Sequence, residues 1–511
     1  MRRFATGLAR GLVPVVLACV AALTAACSEV WNDPYPATDR GRNILYAAFT
    51  ERPKHLDPVQ SYSEDEAGYN AQIYEPPLQY HYLRRPYELV PLLAESVPRP
   101  RYYDSQHREV AADAAEVAYG IYDIRIRPGV RYQPHPALAR DANGALLYHA
   151  LSAQDLAGKR RLVDFRETGT RELHAEDFAY QIKRLAHPRL HSPIFGLMSE
   201  YIVGLKELSD TLRDADKALA AQGKSGAWLD LAQYPLSGAE VVDAQTYRIK
   251  VKGRYPQFVY WLAMSFFAPV PREVDRFYSQ PGMAEKNLVL DWYPVGTGPY
   301  MLTENNPNAR MVLERNPNYH GETYPTDGET ADHAARLLVD AGRALPFIDR
   351  VVFTREREGI PYWNKFLQGY YDESGISSDS FDRAVRVSVE GEASVSPEMA
   401  DKGIQLETAV STASRYFAFN WLDPVVGGAA GERAKKLRQA ISIALDWEEF
   451  ISIFANGRGI AGQGPIPPGI FGFIEGEHGV NPVIYDWTPG GPRRKSIDVA
   501  RKLLAEAGYP N

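Results

Sequence analysis

Cysteine is nearly absent from this sequence. The chain has 511 residues and two cysteines, Cys19 and Cys27. Cys19 lies in an N-terminal apolar stretch with the character of a removable leader, so the mature chain would keep one cysteine and no internal disulfide. Without disulfides, stability must come from large hydrophobic cores. With 45% hydrophobic and 24% charged residues, the chain is long enough for two or three domains.

Long apolar runs and an excess of positive charge are lacking as well. After Cys27, no run approaches the roughly 20 apolar residues that a membrane-spanning helix needs. The formal net charge is −7, which is not the basic signature of a nucleic-acid-binding protein. We therefore expect a globular body with no spanning helix and no nucleic-acid partner.

Sequence motifs of hydrolases are not found. No Gly-x-Ser-x-Gly elbow occurs, and Ser377, Ser378 and Ser380 crowd a loop without a nearby histidine. A catalytic triad assembled from distant residues stays open, so an envelope hydrolase is the competing class. Asp65 and Glu66 form a carboxylate pair of the kind found in exposed loops. We expect a protein that is not an enzyme.

Metal and cofactor signatures are equally weak. His187 and His191 have the i, i+4 spacing that converges on one helix face, but Pro188 between them breaks a helix. This favours solvent exposure over metal binding, and we expect no metal and no cofactor. Tyrosine, in contrast, is plentiful, with 31 residues. Such side chains suit a binding cleft, although composition alone favours ordinary packing into sheets and edges.

The N-terminus has the layout of a secretory signal. Arg2, Arg3 and Arg10 precede the uncharged run from Gly11 to Ala26, which is too short to span a bilayer and ends in small residues. Leu23-Thr24-Ala25-Ala26-Cys27 resembles the lipobox of bacterial lipoproteins, with leucine one place further upstream than usual. The resemblance implies lipidation of Cys27, a signal peptide over 1–26 and a flexible lipid-anchored spacer over 27–42. A soluble periplasmic protein cut near Ala26 is the alternative.

The remaining chain alternates strand and helix patterns. Strands are predicted from Asn43 to Thr50 and where apolar side chains alternate with charged ones, and helices where they recur with helical spacing. Thr323 to Ala344 and Glu390 to Gly403 lack a clear pattern and read as surface insertions. The order predicts a mixed α/β architecture. The alternating strands are carried by Tyr122, Ile124 and Ile126 and by Tyr247, Ile249 and Val251; the helices are carried by Phe178, Ile182 and Leu185, by Leu437 to Leu445, by a helix capped by Asp446, and by Ile497 to Ala507.

An ordered series of motifs resembles the extracellular solute-binding proteins of the oligopeptide- and dipeptide-binding type, which serve ABC importers. The most specific matches are a glycine-rich turn and the asparagine-rich turn after it. Both read as architectural, because glycines permit close backbone approach and the asparagines can bond backbone around a proline. The series comprises Leu56-Asp57-Pro58, His174 to Leu185, Val295 to Tyr300, Arg315 to Tyr319, Phe366 to Asp372, Tyr416 to Asn420, Arg438 to Asp446 and Ala505 to Pro510.

The resemblance implies a two-lobed fold with an extra small domain in the first lobe. The first lobe would take 43–62 and 163–419, the inserted domain 63–162, and the second lobe would start at 420 and run to 511. Because the family's second lobe continues well beyond the Ala-Gly-Tyr-Pro segment, we expect the sequence to be C-terminally truncated. Tyr416 to Asn420 would form a hinge strand, and the ligand would be enclosed as the lobes close.

The same resemblance points to ligand contacts where the chain leaves the first lobe. They are Tyr62, Ser63, Tyr416, Phe417, Asn420 and Trp421, whose aromatic faces would hold side chains and whose amide would bond a peptide backbone. The expected partners are a peptide or similar small solute, ABC permease subunits and a membrane reached through the lipid, with the protein a monomer in the periplasm or cell envelope. A nickel chelate, haem or a sugar remains open as the ligand, because fold does not settle ligand.

Overall fold

The computed structural model of the chain describes residues 34–388 and 393–510. These residues form two compact units. The first comprises the described residues up to Arg52, with Leu302–Arg315 and Phe347–Gly375. The second comprises Pro53–Met301, Asn316–Pro346 and the described residues from Ile376 onward.

Strands and helices are interspersed along the whole of the described chain, as the alternating patterns predict. None of the helices within these residues is long and apolar enough to cross a membrane. The strands are β1 Ile44–Phe49, β2 Leu78–Tyr80, β3 Leu89–Pro91, β4 Arg101–Tyr103, β5 Glu109–Val110, β6 Tyr119–Arg125, β7 Ala239–Asp243, β8 Thr246–Lys252, β9 Tyr300–Asn306, β10 Arg310–Arg315, β11 Glu322–Thr323, β12 Ala344–Leu345, β13 Arg350–Arg355, β14 Val385–Val387, β15 Ala393–Val395, β16 Tyr485–Thr488 and β17 Gly491–Arg494. The helices are α1 Glu64–Ile73, α2 Ala153–Leu156, α3 Ala175–Arg184, α4 Phe195–Tyr201, α5 Leu205–Ala221, α6 Phe258–Trp261, α7 Arg272–Tyr278, α8 Thr330–Ala334, α9 Gly359–Leu367, α10 Ser378–Ala384, α11 Pro397–Ala400, α12 Gly431–Ala444, α13 Trp447–Phe454 and α14 Ile497–Glu506.

The first unit is built on a mixed four-stranded sheet of order β1-β13-β10-β9. The outer strand β1 pairs in parallel with β13, with Tyr46 opposite Val352. β13 in turn pairs antiparallel with β10. The strand predicted from Asn43 to Thr50 is thus confirmed, and its pairing partner lies about 300 residues away along the chain.

Part of the segment predicted as a flexible spacer is packed and contains a short helix. From Pro34 onward it packs within the first unit and contains a short 3₁₀ helix, Ala37–Asp39. The Tyr35 ring stacks on Tyr46 with centroids 3.5 Å apart, and its hydroxyl donates to the carbonyl of Tyr370. An aromatic side chain that gains both a stacking partner and a hydrogen bond holds an otherwise polar segment in place.

The main sheet of the second unit has the order β5-β4-β6-β8-β7. The two predicted half-buried strands are its neighbouring central members, paired antiparallel with Tyr122 opposite Ile249 and Ile124 opposite Tyr247. These four side chains are buried, while the residues between them point to the other face because side chains alternate along a strand.

Helix α3 covers the buried face of this sheet. Its apolar positions recur at helical spacing, and Phe178 and Ile182 are each about 1% exposed. The Phe178 ring stacks on Tyr247 of β8 with centroids 4.8 Å apart and planes 5° from parallel. The sequence prediction for this helix is confirmed.

The helices near the C-terminus follow the predicted order, with one difference. Asp446 caps α13, where its carboxylate accepts the backbone N–H of Glu449 at 2.9 Å. Helix α14 packs on α12. Ala500 within α14 and Ala507 directly after it are buried. Ile497, predicted to face inward, is 48% exposed because it lies in the first turn, before the packed part of the helix.

The predicted insertion from Thr323 to Ala344 begins and ends on a short antiparallel pair, β11 with β12. None of its side chains is fully buried, which agrees with a surface position. Of the second predicted insertion, Glu390 to Gly403, the described part begins at Ala393. There Met399 of α11 is fully buried, so this stretch is not wholly on the surface and contributes one side chain to the core.

Candidate functional site

The start of α1 is organised around one buried carboxylate. Glu66 is 3% exposed, and its two oxygens accept the backbone N–H groups of Lys54, His55, Tyr62 and Ser63 at 2.8–3.3 Å. Burial raises the pKa of this carboxyl, but the four donors outweigh burial and the net pKa lies below its ordinary value. The loop before α1 is therefore held in one conformation by a carboxylate.

The predicted ligand residues Tyr62 and Ser63 sit on this clamped loop. Ser63 occupies the N-cap position of α1. The Tyr62 side chain is 74% exposed, and its ring lies 6.5 Å from that of Phe266, centroid to centroid. A fixed backbone that displays a large exposed aromatic side chain offers contact area at low entropic cost.

The burial of Glu66 differs from the sequence prediction. As one of a carboxylate pair with Asp65 it was expected in an exposed loop, yet it is buried. The signal that identifies it is the spacing Ser63-x-x-Glu66, in which the glutamate reaches back to the N-cap backbone as in a capping box. That spacing is local, and it would have marked Glu66 as structural from the sequence alone.

The opening motif is tied to the helix motif by a buried ion pair. Arg184 of α3 donates from both terminal nitrogens to Asp57, at 2.9 and 2.6 Å, and both side chains are about 2% exposed. Removing Arg184 would leave the buried carboxylate of Asp57 without its charged partner, which is strongly destabilising. The pair fixes the loop that leads to Tyr62 against the core of the second unit.

The glycine-rich turn is packed against the end of α1. A Cβ at Gly296 would lie 1.9 Å from the Ile73 carbonyl oxygen, and one at Gly298 would lie 2.7 Å from that of Gln72. Thr297 donates to Glu75 at 2.6 Å. These contacts agree with the architectural prediction, since the glycines allow two backbones to touch.

The asparagine-rich turn packs against the glycine-rich turn. Asn316 donates its amide to the Gly298 carbonyl at 2.9 Å, and it accepts the N–H of Asn318 at 3.0 Å. Just beyond it, His320 contacts the other oxygen of Glu75 at 2.8 Å. Burial lowers the pKa of His320, but the hydrogen bond and charge of Glu75 outweigh it, so the net pKa lies above 6.5.

The segment from Tyr416 to Asn420, predicted as a hinge strand, is not a strand. Between residues 405 and 419 the backbone makes no hydrogen bond to another described backbone group, and a strand requires such a partner. Tyr416 and Phe417 are 79% and 67% exposed. The Phe417 ring stacks on Trp447 of α13 at 5.3 Å between centroids, which is its anchor.

Asn420 and Trp421 lie in the turn that follows. The Asn420 side-chain oxygen accepts the N–H of Leu422 at 3.1 Å. The Trp421 ring lies under the guanidinium of Arg438 at 4.5 Å and is 61% exposed. A Cβ at Gly428 would lie 2.2 Å from the indole nitrogen, so any larger residue there would displace the Trp421 ring.

The predicted site residues thus fall into two groups. Across residues 34–388 and 393–510, no hydrogen bond, ion pair or ring contact joins Tyr62 or Ser63 to the segment from Tyr416 to Trp421. Cys27, the predicted lipidation site, lies outside the described residues.

The competing histidine and serine clusters have structural partners. His187 accepts the N–H of Arg189 at 3.2 Å, and burial lowers its pKa to about 4. Ser377 bonds Ser380, and Ser378 donates to the carbonyl of Phe454. Within the described part of the chain, no three His, Cys, Asp or Glu side chains are grouped to hold a metal ion.

The sequence is similar to a known protein family and to named proteins of other bacteria. The family model for bacterial extracellular solute-binding proteins, family 5 Middle, matches residues 167–511. Heme-binding protein A of Haemophilus influenzae is 24% identical over 276 residues, which is 54% of this chain and 40% of that protein. The periplasmic oligopeptide-binding protein OppA of Salmonella typhimurium is 23% identical over 337 residues, 66% of this chain and 49% of that protein. The chain thus spans less than half the length of these two relatives.

Solved structures share the fold. OppA of Burkholderia pseudomallei matches with a TM-score of 0.53 at 16% identity, covering 92% of this chain and 68% of that one. The murein tripeptide binding protein MppA of Escherichia coli matches with a TM-score of 0.51 at 18% identity, covering 92% and 67%. DppA of Helicobacter pylori, in complex with peptide STSA, matches with a TM-score of 0.52 at 16% identity, covering 93% and 68%.

These likenesses establish the fold as the mixed α/β fold of the two-lobed solute-binding proteins. The named relatives are binding proteins rather than enzymes. Because the family model extends over well more than half of the sequence, the chain belongs to family 5 of the bacterial extracellular solute-binding proteins.

Proposed function

We propose that this protein captures peptides in the bacterial envelope and passes them, chemically unchanged, to an ABC importer. Family membership supports the binding role, and relatives named for oligopeptides support the ligand class. The observation that carries the proposal is Tyr62, a large and mostly exposed ring on a loop clamped by Glu66. Such preorganisation lowers the entropic cost of binding.

The proposed ligand contacts are those of the sequence analysis. Tyr62 and the aromatic rings of Tyr416, Phe417 and Trp421 would hold side chains of the peptide, because exposed aromatic faces bury much apolar area on contact. The Asn420 oxygen is engaged by Leu422, so its amide nitrogen would donate to a peptide carbonyl. Ser63 would contribute its hydroxyl at the head of α1.

The proposed organisation keeps the division inferred from the sequence. The first lobe takes 43–62 and 163–419, the inserted domain takes 63–162, and the second lobe starts at 420. Closure of the lobes about the segment before Asn420 would enclose the peptide.

The proposed location is the periplasm, with the protein held to a membrane by lipid on Cys27. The periplasmic relatives and the leader sequence support this placement. A monomer anchored in this way would meet the permease subunits of its importer at the same membrane. Replacement of Cys27 by Ser should release the protein from membranes and abolish lipid labelling, whereas retention with unchanged labelling would contradict the anchor.

The identity of the ligand is tested by purifying the full-length protein and identifying co-purified molecules by mass spectrometry. Peptides of mixed sequence are expected, and they should be depleted in Tyr62→Ala. Tyr82→Ala is the matched control, since Tyr82 is also an exposed tyrosine, at 65%. Recovery of a nickel chelate or a sugar in place of peptides would replace the proposed ligand.

Haem is the second candidate, because one relative is named as a heme-binding protein. Titration with haemin separates the two candidates. A Soret band that saturates at one haemin per chain, and is not displaced by peptides, would favour haem. The peptide proposal predicts no saturable band.

A further inference from the structure

An open cavity of ≈620 Å³ lies in the second unit, between the hairpin loop from β2 to β3 and the insertion from Thr323 to Ala344. Its size falls within the range of small-molecule sites. The surface insertion is therefore one wall of a cavity, and α6 supplies another. The side chains that matter most are those of Arg84, Arg85, Tyr87, Glu88, Tyr260 and Asp327.

Three charged groups of this cavity, Arg84, Glu88 and Asp327, are paired with one another, while Glu329, which also lines it, has no ion pair among the described residues. Arg84 bonds Glu88 at 2.8 Å and also bonds Asp327, and His81 lies 3.5 Å from the second oxygen of Asp327. All three charged side chains are about half exposed. An ionic ligand would have to break these pairs, whereas a neutral ligand can use the lone pairs and N–H groups that they leave over.

Arg85 lines the cavity as well, and among the described residues it has no carboxylate partner. Its guanidinium donates to the Arg84 carbonyl at 2.9 Å and to the Tyr82 carbonyl at 3.2 Å. It also lies over the ring of Tyr87 at 4.2 Å. The guanidinium is therefore oriented by carbonyl dipoles and a ring face, and its remaining N–H groups can donate to a ligand hydroxyl.

Flat aromatic surfaces complete the cavity. Tyr260 of α6 lines the cavity and is 47% exposed. Tyr80 at the end of β2 is 43% exposed and lies outside the lining. Tyr80 meets Tyr87 edge to face, with centroids 5.7 Å apart. Two tyrosine rings, those of Tyr87 and Tyr260, thus line the opening.

We propose that this cavity binds a saccharide. A sugar ring presents an apolar C–H face, which stacks on tyrosine, and a rim of neutral hydroxyls, which both donate to paired carboxylates and accept from paired guanidinium groups. A peptide terminus or a polyamine carries a full charge that would compete with the ion pairs of Arg84, whereas sugar hydroxyls can bond groups of either sign. This inference is independent of the proposed peptide function.

The test is titration of the full-length protein with maltotriose, cellotriose and triacetylchitotriose, followed by saturation-transfer NMR and calorimetry. A parallel sedimentation assay with insoluble peptidoglycan distinguishes a cell-wall glycan from a free sugar as the source. Binding of at least one trisaccharide is expected. Failure of all three and of peptidoglycan, or binding of spermidine instead, would overturn the proposal.

Variants locate the site. Tyr260→Ala should weaken saccharide binding about three- to tenfold, because one stacking face is lost, and Tyr260→Phe should restore it. Tyr82→Ala is the control, since Tyr82 is an exposed tyrosine on the loop from β2 to β3 that does not line the cavity. Unchanged saccharide affinity in Tyr260→Ala would place the binding elsewhere and contradict the assignment. Peptide binding by Tyr260→Ala should be normal, so loss of one ligand is distinguishable from loss of the other.

Discussion

At the scale of single residues, buried charge organises the surroundings of the candidate site. Glu66 gathers four backbone N–H groups, Asp57 holds Arg184, and Glu75 joins Thr297 to His320. Each acceptor lies near the start or the end of α1. Hydrogen bonds to charged groups are the stronger ones, and leaving their partners unmade in the interior is expensive. The position of α1, and with it Tyr62, therefore depends on carboxylates that contact no ligand.

Replacement of Glu66 by Gln should lower the free energy of unfolding by about 1–3 kcal/mol, because four backbone donors lose a charged acceptor. The folded-state pKa of Glu66 is depressed, so its contribution is complete above the ordinary pKa and is lost as the pH falls through the folded value. Urea unfolding curves at several pH values measure this, and the variant and the parent should converge in acid.

Glu64→Gln is the control for this prediction. Glu64 lies in the same first turn of α1 and is exposed. Its replacement should leave stability within about 0.5 kcal/mol at every pH. A loss in Glu64→Gln equal to that in Glu66→Gln would attribute the effect to the charge of the helix terminus and not to the loop clamp.

Replacement of His320 by Gln should destabilise the protein most at low pH. The folded pKa of His320 is raised by Glu75, so its stabilisation is fully present below the unfolded pKa and is lost as the pH rises through the folded value. We expect a cost of about 1–3 kcal/mol in mild acid and a smaller cost in base. Unfolding at pH about 5.5 and about 9 compares the two conditions. The exposed His478 provides the control variant, and a pH-independent cost at His320 would contradict the ion pair.

At the scale of secondary structure, local patterns predicted elements well where burial enforces them. The alternation in β6 and β8 and the stripe of α3 follow directly from one buried face. No local sequence pattern predicts that these two strands pair with each other, because more than a hundred residues separate them. The segment from Tyr416 to Asn420 shows the converse, since its composition suits a strand but no described backbone supplies the partner.

The glycine-rich turn gives a prediction at this scale. A methyl group at Gly296 would meet the Ile73 carbonyl oxygen at 1.9 Å, and neither backbone can move without displacing α1 or β9. Gly296→Ala should therefore cost about 2–4 kcal/mol, at or above the usual range for overpacking. Gly158→Ala should be nearly neutral, because a Cβ there meets nothing within 4 Å. Thermal denaturation of the two variants measures the difference, and equal melting temperatures would show that the contact is not tight.

At the scale of the whole molecule, the family and the mixed architecture were predictable and the site was only partly so. An ordered series of short motifs identifies a fold because each marks a backbone requirement, as the glycines of the turn do. The ligand contacts have no such requirement. Tyr62 and Trp421 are exposed aromatic residues, and the sequence does not distinguish a ligand platform from a surface ring. The cavity beside Tyr260 depends on a loop and an insertion that lie far apart along the chain.

The proposed function predicts that a peptide raises the melting temperature without being altered. A ligand that binds only the folded protein stabilises it by about 2.7 kcal/mol at a hundredfold excess over Kd, which corresponds to an upward shift of about 2–5 °C. Tyr62→Ala should reduce the shift at equal peptide concentration, because it removes an aromatic contact on a fixed loop, while Tyr82→Ala should preserve it. Mass spectrometry of the peptide after incubation should show the original species only. A peptide cleaved by the parent protein but left intact by a single point variant would move the molecule from the binding proteins to the enzymes.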